Sequence, residues 1–291
     1  MPVQNINDPL QIIEALEQYQ YIADEEMATA IFLLLKLQKP LLLEGPPGVG
    51  KTETALVLAQ LLQTKLIRLQ CYEGLDINSA VYEWNYQKQL LGIKLQEGTN
   101  LSVEEKEHHI FSNEYLMQRP LLQSIMELEQ APVLLIDELD RSDEEFEAFL
   151  LELLSVFQIS IPELGTIKAK HKPYVILTSN RTRELSDALK RRCLYHWIDY
   201  PSLEKEMEIV KKRLPGIEEN LLQQVVTHVQ AFRQKKLAKT PGVSETIDWA
   251  ESLMALGYRD VNAKAFNQTL GSVLKSVEDI NQAKVEFAGS I

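Results

Sequence analysis

A glycine-rich octapeptide near the start of the chain limits its possible folds more than any other segment does. The octapeptide consists of Gly45, Pro46, Pro47, Gly48, Val49, Gly50, Lys51 and Thr52, in the pattern G-x-x-x-x-G-K-S/T. It follows the apolar run Leu41–Leu43 and precedes a helical pattern from Lys51 to Gln63, so it joins a predicted strand to a predicted helix. In that context glycines let backbone N–H groups turn inward around a phosphate, and the helix N-terminus and Lys51 add positive charge. The octapeptide therefore predicts a phosphate-binding loop in an α/β fold, with the Thr52 hydroxyl available to Mg²⁺.

Short apolar runs and helical patterns alternate over the first 200 residues. The runs predict strands over Leu41–Leu43, Leu66–Leu69, Val133–Ile136, Tyr174–Thr178 and Leu194–Ile198. Asp8 and Asp24 are predicted to cap two helices, and Ser142, with Glu145 three residues on, is predicted to cap a third. Strands that alternate with helices indicate a parallel sheet covered on both faces.

The pattern changes at Tyr200 and Pro201, and we find only helical spacing beyond them. Two Pro-Gly pairs, at 215–216 and 241–242, divide this part into about four predicted helices. We therefore predict an α/β domain over residues 1–200, with N-terminal helices and an insertion near residues 79–111, followed by an α-helical domain over residues 201–291.

The predicted strand Val133–Ile136 runs into two adjacent carboxylates, Asp137 and Glu138. An apolar strand that ends in an acid is the expected second half of a nucleoside-triphosphate-hydrolysing site. Asp137 would then hold the Mg²⁺ shell, while Glu138, turned the other way by strand alternation, would orient and activate the attacking water. The alternative is that both acids cap the helix predicted from Ser142.

The next strand ends in Thr178-Ser179-Asn180, which places an amide at the sheet edge where ligands of open α/β folds bind. Asn180 could hydrogen-bond the γ-phosphate or the water, or it could be an ordinary turn asparagine. The run Lys190-Arg191-Arg192 allows two interpretations, a solvated helix end or an arginine that completes a neighbour's site.

Composition disfavours several classes of protein. Of the 291 residues, 45% are hydrophobic and 25% charged, which excludes disordered and collagen-like chains. The formal net charge of -12 disfavours binding to nucleic acids and acidic membranes. Cys71 and Cys193 lack metal-ligand spacing, and no signal peptide or membrane-spanning run is evident. We therefore predict a cytoplasmic protein without nucleic-acid or membrane partners.

Several segments together resemble the AAA+ ATPases, and more specifically the CoxD-like branch of their MoxR group. The segments are Tyr21-Ile22-Ala23-Asp24, the loop from Gly45 to Thr52, Arg119-Pro120-Leu121-Leu122, Asp137-Glu138-Leu139-Asp140-Arg141 and the run from Asp187 to Cys193. The resemblance covers nearly the whole chain. It implies a five-stranded parallel core in the order 5-1-4-3-2, a helical lid, ATP and Mg²⁺ as ligands, and a ring, commonly a hexamer, with ATP at the subunit interfaces.

The same resemblance suggests roles for individual residues. Asn180 is similar to the sensor 1 residue, and Arg192 resembles the arginine finger that acts on a neighbouring subunit, with Arg191 as the adjacent competitor. One position departs from the family pattern, because Glu245 stands where a lid helix often carries a sensor 2 arginine. We assign no sensor 2 residue, and Lys239 is one candidate substitute.

The family's roles suggest a function for the chain. MoxR proteins often work with a von Willebrand factor type A (VWA) partner to remodel or activate a client, and CoxD-like members resemble maturation factors for metalloenzymes. The resemblance thus predicts an ATPase that acts as a maturation chaperone. The main alternative is a DNA-directed AAA+ ATPase of the clamp-loader or branch-migration type, which the net charge of -12 disfavours.

An aromatic pattern in the predicted insertion leaves two hypotheses open. Tyr82, Trp84 and Tyr86 alternate ahead of a leucine-rich stretch that ends at Leu95. The segment is either a surface that contacts the client, or it is a half-buried strand or a packed insertion, and the periodicity alone favours the latter interpretation.

Overall fold

A five-stranded parallel sheet forms the centre of the structure, a computed structural model that describes residues 6–97 and 102–287. The strands within those ranges are β1 (Leu41–Glu44), β2 (Leu66–Gln70), β3 (Tyr82–Trp84), β4 (Leu116–Gln118), β5 (Val133–Asp137), β6 (Gln158–Ile161), β7 (Gly165–Lys168), β8 (Tyr174–Ser179) and β9 (Leu194–Trp197). The central sheet has the order β2-β5-β8-β1-β9, and all neighbouring pairs in it are parallel. Numbered among themselves, its strands have the order 5-1-4-3-2, so the predicted fold class is confirmed. Each predicted strand of this sheet ends within one residue of the observed end.

Helices cover both faces of the sheet and continue beyond it. They are α1 (Pro9–Glu17), α2 (Glu25–Leu37), α3 (Lys51–Leu62), α4 (Ile77–Val81), α5 (Tyr86–Leu95), α6 (Val103–Ile110), α7 (Pro120–Met126), α8 (Glu144–Val156), α9 (Asp187–Lys190), α10 (Leu203–Arg213), α11 (Glu219–Arg233), α12 (Val243–Ala255), α13 (Ala263–Val273) and α14 (Val277–Phe287). Because strand side chains alternate, Leu41 and Leu43 pack against α1, α2 and α3, whereas Leu42 belongs to the core beneath α7 and α8. Within the described ranges, no helix has both the length and the apolar character needed to cross a membrane.

The starts of several helices follow from local sequence. Asp8 and Asp24 cap α1 and α2, as predicted. The predicted cap at Ser142 is wrong, because Ser142 ends a short 3-10 turn and its hydroxyl donates to Leu139 O. Asp143 caps α8 instead. The 3-10 turn that follows β5 takes up Ser142 and moves the start of the helix by one residue.

Two short antiparallel pairs, β3 with β4 and β6 with β7, lie outside the central sheet, and of their strands only β3 corresponds to a sequence-based hypothesis, the half-buried strand at Tyr82 and Trp84. The other three strands are three or four residues long, too short for alternation to be distinctive. The first pair belongs to the predicted insertion, in which Trp84 is buried with its ring edge-on to Phe111 at 5.3 Å, as the packed-insertion hypothesis expects. In contrast, Leu90 and Leu95 on α5 are exposed. Residues 98–101 of this insertion are outside the described ranges.

Beyond β9 the described chain consists of five helices, α10 to α14, where the Pro-Gly pairs predict about four. The pairs mark only two of the breaks, and another break lies at Gly257, which has a left-handed φ of 75°. The five helices enclose a separate apolar cluster that includes Phe232, Trp249 and Phe266. We refer to α10–α14 as the lid. Residues 1–5 and 288–291, at the ends of the two predicted domains, are outside the described ranges.

Candidate active site

The phosphate-binding loop lies at the carboxyl end of β1 and leads directly into α3, which begins at Lys51. Gly50 precedes the helix with a φ of 94°, a left-handed conformation that is strained for residues with a side chain. Gly45 lies so close to the chain after β9 that an added Cβ would be 2.0 Å from Ile198 O. The loop therefore needs glycine at both positions. The first N–H groups of α3 have no partner within the helix and can bind an anion.

The Lys51 ammonium folds back over the loop and donates to the carbonyl oxygens of Gly45 and Pro46, both at 2.7 Å. Burial lowers the pKa of Lys51 to about 8, although nearby carboxylates, Asp140 foremost, oppose this shift. A buried cation that is satisfied only by neutral carbonyls gains from an anionic partner, because charge-assisted hydrogen bonds are the stronger ones. Lys51 is thus suited to bind phosphate oxygens that enter the loop.

Asp137, 2% exposed, ends β5 and is the centre of a network that joins this strand to three other elements of the core. Its carboxylate accepts hydrogen bonds from the Thr52 hydroxyl at 3.1 Å, the Thr178 hydroxyl at 2.6 Å and the Arg68 guanidinium at 2.6 Å. The predicted metal-binding pair, Thr52 and Asp137, is therefore in contact. Hydroxyl and carboxylate oxygens suit Mg²⁺, which usually takes its remaining ligands from phosphate and water. The donor set fits the predicted ion.

Glu138 lies one residue beyond β5, and the structure corrects the prediction that strand alternation orients it. Its backbone is left-handed, with φ of 55°, and its N–H donates to the Thr178 hydroxyl at 2.8 Å. The turn after the strand therefore directs the side chain. The carboxylate is 35% exposed and pairs with Arg141 at 3.1 Å. Backbone strain of this kind is common where a side chain must be aimed. Because Asp143 caps α8, the alternative role for the two acids as helix caps is wrong.

Asn180 follows β8 and, with Pro46 and Pro47, lines a cleft of about 790 Å³ beside the loop, called here the proline cleft. The end of β8 is tied to the end of β1, because the Ser179 hydroxyl donates to the buried Glu44 carboxylate at 3.2 Å. This contact holds the strand end that carries Asn180 beside the loop.

A second cleft, of about 660 Å³, is lined by Gly48, Val49 and Gly50 of the loop and is called here the apolar cleft. Its lining includes Tyr21 and Ile22 from the segment before α2 and Ile209 and Ile247 from the lid. The Tyr21 hydroxyl is hydrogen-bonded to the Thr54 hydroxyl at 2.8 Å, and burial raises the pKa of Tyr21 to about 12, so the phenol stays neutral. A cleft of this size and character can hold a small aromatic group.

Arg191 and Arg192 lie at the end of α9 and are exposed. The Arg192 guanidinium donates to Leu151 O on α8. Neither arginine is among the described residues that line the two clefts. Within one chain, therefore, these arginines do not join the other predicted site residues.

The lid touches the loop through the start of α12. The Val243 N–H donates to Gly48 O at 2.9 Å, and a Cβ added at Gly242 would lie 2.7 Å from Gly48 Cα. The Glu245 carboxylate accepts the Gly242 N–H at 2.9 Å, so it acts as part of the cap of α12. Glycine at 242 is what permits this close approach.

The arginines nearest the missing sensor 2 position have other partners. Arg233 is 4% exposed and forms a bidentate pair with Glu206, at 2.6 and 2.7 Å. Arg259 pairs with Glu218 on the surface at 3.3 Å. Lys239, in contrast, lines the proline cleft.

Sequence patterns miss four polar residues close to the loop: Glu44, Arg68, Asp140 and Thr178. The buried Asp140 accepts the N–H and hydroxyl of Thr182, at 2.9 and 2.7 Å. For Arg68 the available signal is alternation along β2, which places it on the same face as Gln70, the residue opposite Asp137. That signal needs the pairing of β2 with β5, which local patterns do not contain.

Known proteins resemble this chain in sequence and in fold. The family model for the AAA domain (dynein-related subfamily) matches residues 40–193. An uncharacterised protein of Staphylococcus haemolyticus is 27% identical over 244 residues, 81% of this chain and 83% of its own length. One from Staphylococcus aureus is 26% identical over 248 residues, 83% of this chain and 84% of its own length. Two solved RuvB variants of Thermotoga maritima have TM-scores of 0.53 and 0.52, at 18% and 19% identity. They cover 94% and 92% of this chain and 79% and 78% of their own, a likeness that concerns the fold alone.

Proposed function

The chain belongs to the AAA domain family, in its dynein-related subfamily, and from this premise we propose that it is a Mg²⁺-dependent ATPase that converts ATP and water to ADP and phosphate. The observation that carries the proposal is the hydrogen bond between Thr52 and Asp137 at 3.1 Å, directly beside the loop. Their positions in the chain differ by 85 residues, yet the fold brings them into contact, as joint binding of one Mg²⁺ would require.

In this proposal some site residues bind the nucleotide and others take part in its hydrolysis. Gly45–Thr52 would hold the phosphates through backbone N–H groups and the Lys51 ammonium. Mg²⁺ held by Thr52 and Asp137 would neutralise charge that develops on the phosphate oxygens. The partly exposed Glu138 carboxylate would take a proton from the attacking water, and Asn180 would orient that water or the γ-phosphate. The aromatic base would occupy the apolar cleft.

We place the arginine finger in trans. An arginine commonly stabilises the negative charge of the transferred phosphoryl group in the transition state. Such an arginine raises the turnover rate by about 10³- to 10⁵-fold. Arg192 is exposed at the end of α9, where a neighbouring subunit can approach it, and Arg191 is the adjacent competitor. This assignment requires a ring, for which we propose a hexamer.

We assign the protein to the MoxR group, in its CoxD-like branch, as a chaperone for maturation of a client metalloenzyme that works with a VWA-domain partner. Its proposed organisation is a nucleotide-binding domain over residues 1–200 and a lid domain over residues 201–291. The exposed leucines of α5 are the proposed client contact, since Leu90, Leu91 and Leu95 are 62%, 58% and 72% exposed. The cytoplasmic location stays a prediction.

ATP turnover per subunit, measured against protein concentration, tests the ATPase and the ring together. We expect specific activity to rise with concentration in the wild type, and Arg192→Ala to remove most of it without loss of nucleotide binding. Glu138→Gln should bind ATP and fail to hydrolyse it at every concentration. Flat activity that Arg192→Ala does not affect would contradict a finger at Arg192, and Arg191→Ala would then be tested.

DNA separates the chaperone proposal from its alternative. The net charge of -12 disfavours binding to a phosphate backbone, so we expect turnover to be unchanged by duplex or branched DNA. Stimulation of several-fold that disappears as salt is raised would instead identify a DNA-directed ATPase.

A further inference from the structure

Two short segments at the carboxyl end of the sheet carry the residues to which we assign hydrolysis. Glu138 begins the post-β5 turn (residues 138–142), and Asn180 begins the post-β8 bend (residues 180–183), which follows the neighbouring strand. Each segment contains a left-handed residue other than glycine, namely Glu138 itself, with φ of 55°, and Arg181, with φ of 57°. Such conformations persist only where the surrounding structure holds them. Contacts that keep both segments in place are therefore required.

A buried carboxylate joins the two segments. Asp140, in the post-β5 turn, is 3% exposed and accepts the N–H and the hydroxyl of Thr182, in the post-β8 bend, at 2.9 and 2.7 Å. Asp140 is the second residue after Glu138, and Thr182 is the second residue after Asn180. Both hydrogen bonds end on Oδ2, while the buried Oδ1 has no hydrogen-bond partner in the described part of the chain. Because burial of a carboxylate is costly, a role in joining the segments explains an acid at this position better than packing does.

Other contacts join the same parts of the chain on either side of this link. On the strand side, the Glu138 N–H donates to the Thr178 hydroxyl at 2.8 Å. On the far side, the Arg183 guanidinium donates to Ser142 O at 2.8 Å. The link through the buried carboxylate lies between these two contacts, next to both left-handed residues. It is thus placed to set the distance between the two segments.

We propose that Asp140 is a positioning residue, which through its contact with Thr182 holds the two proposed hydrolytic residues at a fixed separation around the attacking water. This inference rests on the proposed ATPase function. The water must meet the Glu138 carboxylate and the Asn180 amide at the same time, and a displacement of about 1 Å can lower turnover about a hundredfold. Neither Asp140 nor Thr182 is among the described residues that line the two clefts. Loss of the link should therefore slow hydrolysis without weakening nucleotide binding.

Steady-state ATP turnover by the full chain, together with titration of fluorescently labelled ADP, tests the proposal. Thr182→Val removes the hydroxyl and keeps the N–H, so it should lower kcat about tenfold and change ADP affinity less than about twofold. Thr182→Ser keeps the hydroxyl and should restore kcat to near the wild-type value. Thr64→Val is the matched control, because the Thr64 hydroxyl donates to Ala131 O at 2.9 Å, at the opposite end of β2 and β5. This control should keep the wild-type kcat.

A second set of variants separates the contact of Asp140 from its charge. Asp140 is the foremost carboxylate that opposes the lowered pKa of Lys51, so its charge could act on the loop directly. Asp140→Asn removes the charge, but the amide oxygen can still accept both hydrogen bonds from Thr182, so kcat should stay near the wild-type value. Asp140→Ala removes both bonds and should lower kcat about a hundredfold. Adding Thr182→Val to Asp140→Ala should cause no further loss, because the two residues act as a unit.

The outcomes distinguish this inference from the function on which it rests. If the wild type hydrolyses ATP and both Thr182→Val and Asp140→Ala keep its kcat, the inference fails and the ATPase proposal stands. If Asp140→Asn is as slow as Asp140→Ala, the charge is responsible and the positioning role is wrong. If the wild type does not hydrolyse ATP, the inference and the proposed function fail together. Thr182 is exposed, so Thr182→Val should melt as the wild type does, and its loss of kcat would then reflect position and not unfolding.

Discussion

The core and the lid each bury one carboxylate that is paired with an arginine and a threonine, yet the two networks differ in access. In the core, Asp137 accepts a single contact from Arg68, whose side chain is 52% exposed. In the lid, Glu206 is held by both nitrogens of the Arg233 fork, and these two side chains are 0% and 4% exposed. The core network opens to solvent on one side, whereas the lid network is sealed.

The difference separates a site from a structural contact made of the same groups. A buried acid whose partners can leave is able to exchange them for a metal ion and its water shell. A buried acid with a complete set of inward partners can only hold helices together, since the loss of one partner leaves an unpaired charge in the interior. Arg233 is thus a structural residue of the lid, although it is one of the arginines nearest in sequence to the position where the family often has a sensor 2 arginine.

The largest expected effect comes from truncating Arg233, with truncation of Arg68 as the comparison. Arg233→Ala should lower the free energy of unfolding by about 3–5 kcal/mol, because it leaves Glu206 buried and unpaired. Arg68→Ala should cost about 1 kcal/mol or less, because its partner keeps two hydroxyl donors and water can enter. Urea unfolding of both variants measures the two values. Equal costs would remove the distinction between an open and a sealed network.

The contact between lid and core provides the next test. Gly242→Ala would place a Cβ 2.7 Å from Gly48 Cα, so the lid must move away from the loop. We expect nucleotide affinity to fall by about a hundredfold, a loss typical of misplaced binding groups. Gly271→Ala in α13 is the control, because its Cβ would meet nothing within 4 Å. A fluorescent-nucleotide titration measures both, and unchanged affinity in Gly242→Ala would argue that the lid does not shape the site.

Substitution of the threonine in each network would show whether a loss of stability is accompanied by a loss of ATP turnover. Thr178 donates to Asp137 and Thr246 to Glu206, both at 2.6 Å. Replacing either by valine keeps the shape and removes a donor, so each variant should lose about 1–3 kcal/mol of stability. Only Thr178→Val should also lower ATP turnover, measured below the melting temperature of each variant. A matching loss of turnover in Thr246→Val would mean that the sealed network takes part in catalysis.

The smallest effect is expected from the partly exposed ion pair that joins the lid to the core. Arg213 on α10 contacts Glu53 on α3 at 2.5 Å, beside the apolar cleft. Arg213→Glu should accelerate release of labelled ADP by no more than about fivefold, since exposed pairs contribute about 1 kcal/mol at most. Stopped-flow displacement measures the rate.

Two further variants decide whether that ion pair is responsible. Adding Glu53→Arg to Arg213→Glu should restore slow release of labelled ADP, because the pair is rebuilt with its charges exchanged. Lys211→Glu, which breaks an exposed pair inside the lid, should leave the release rate unchanged. If the double variant releases ADP as fast as Arg213→Glu alone, the ion pair does not hold the lid on the core.

The strands of the central sheet and the loop could be predicted because short, local sequence patterns specify them. A few neighbouring positions are enough to identify an apolar strand, a glycine pattern or the start of a helix. Leu41–Glu44 and Lys51 are examples. The strands β4, β6 and β7 escaped prediction because each has only three or four residues, too few for alternation to be distinctive. The prediction that Ser142 caps α8 was wrong because the turn after β5 decides which residue caps this helix.

By itself the sequence determined a phosphate-binding loop between a strand and a helix, a parallel α/β core, and an acid at the end of a buried strand. Only the tertiary structure decided that Thr178 and Arg68 share Asp137, that Arg233 is committed to Glu206, and that Lys239 lies beside the loop. Backbone conformation and the need for glycine depend on neighbours along the chain, so a local sequence pattern can predict them. Which side chains meet depends on strand register and helix packing, which are set by the sum of many contacts between residues far apart in sequence.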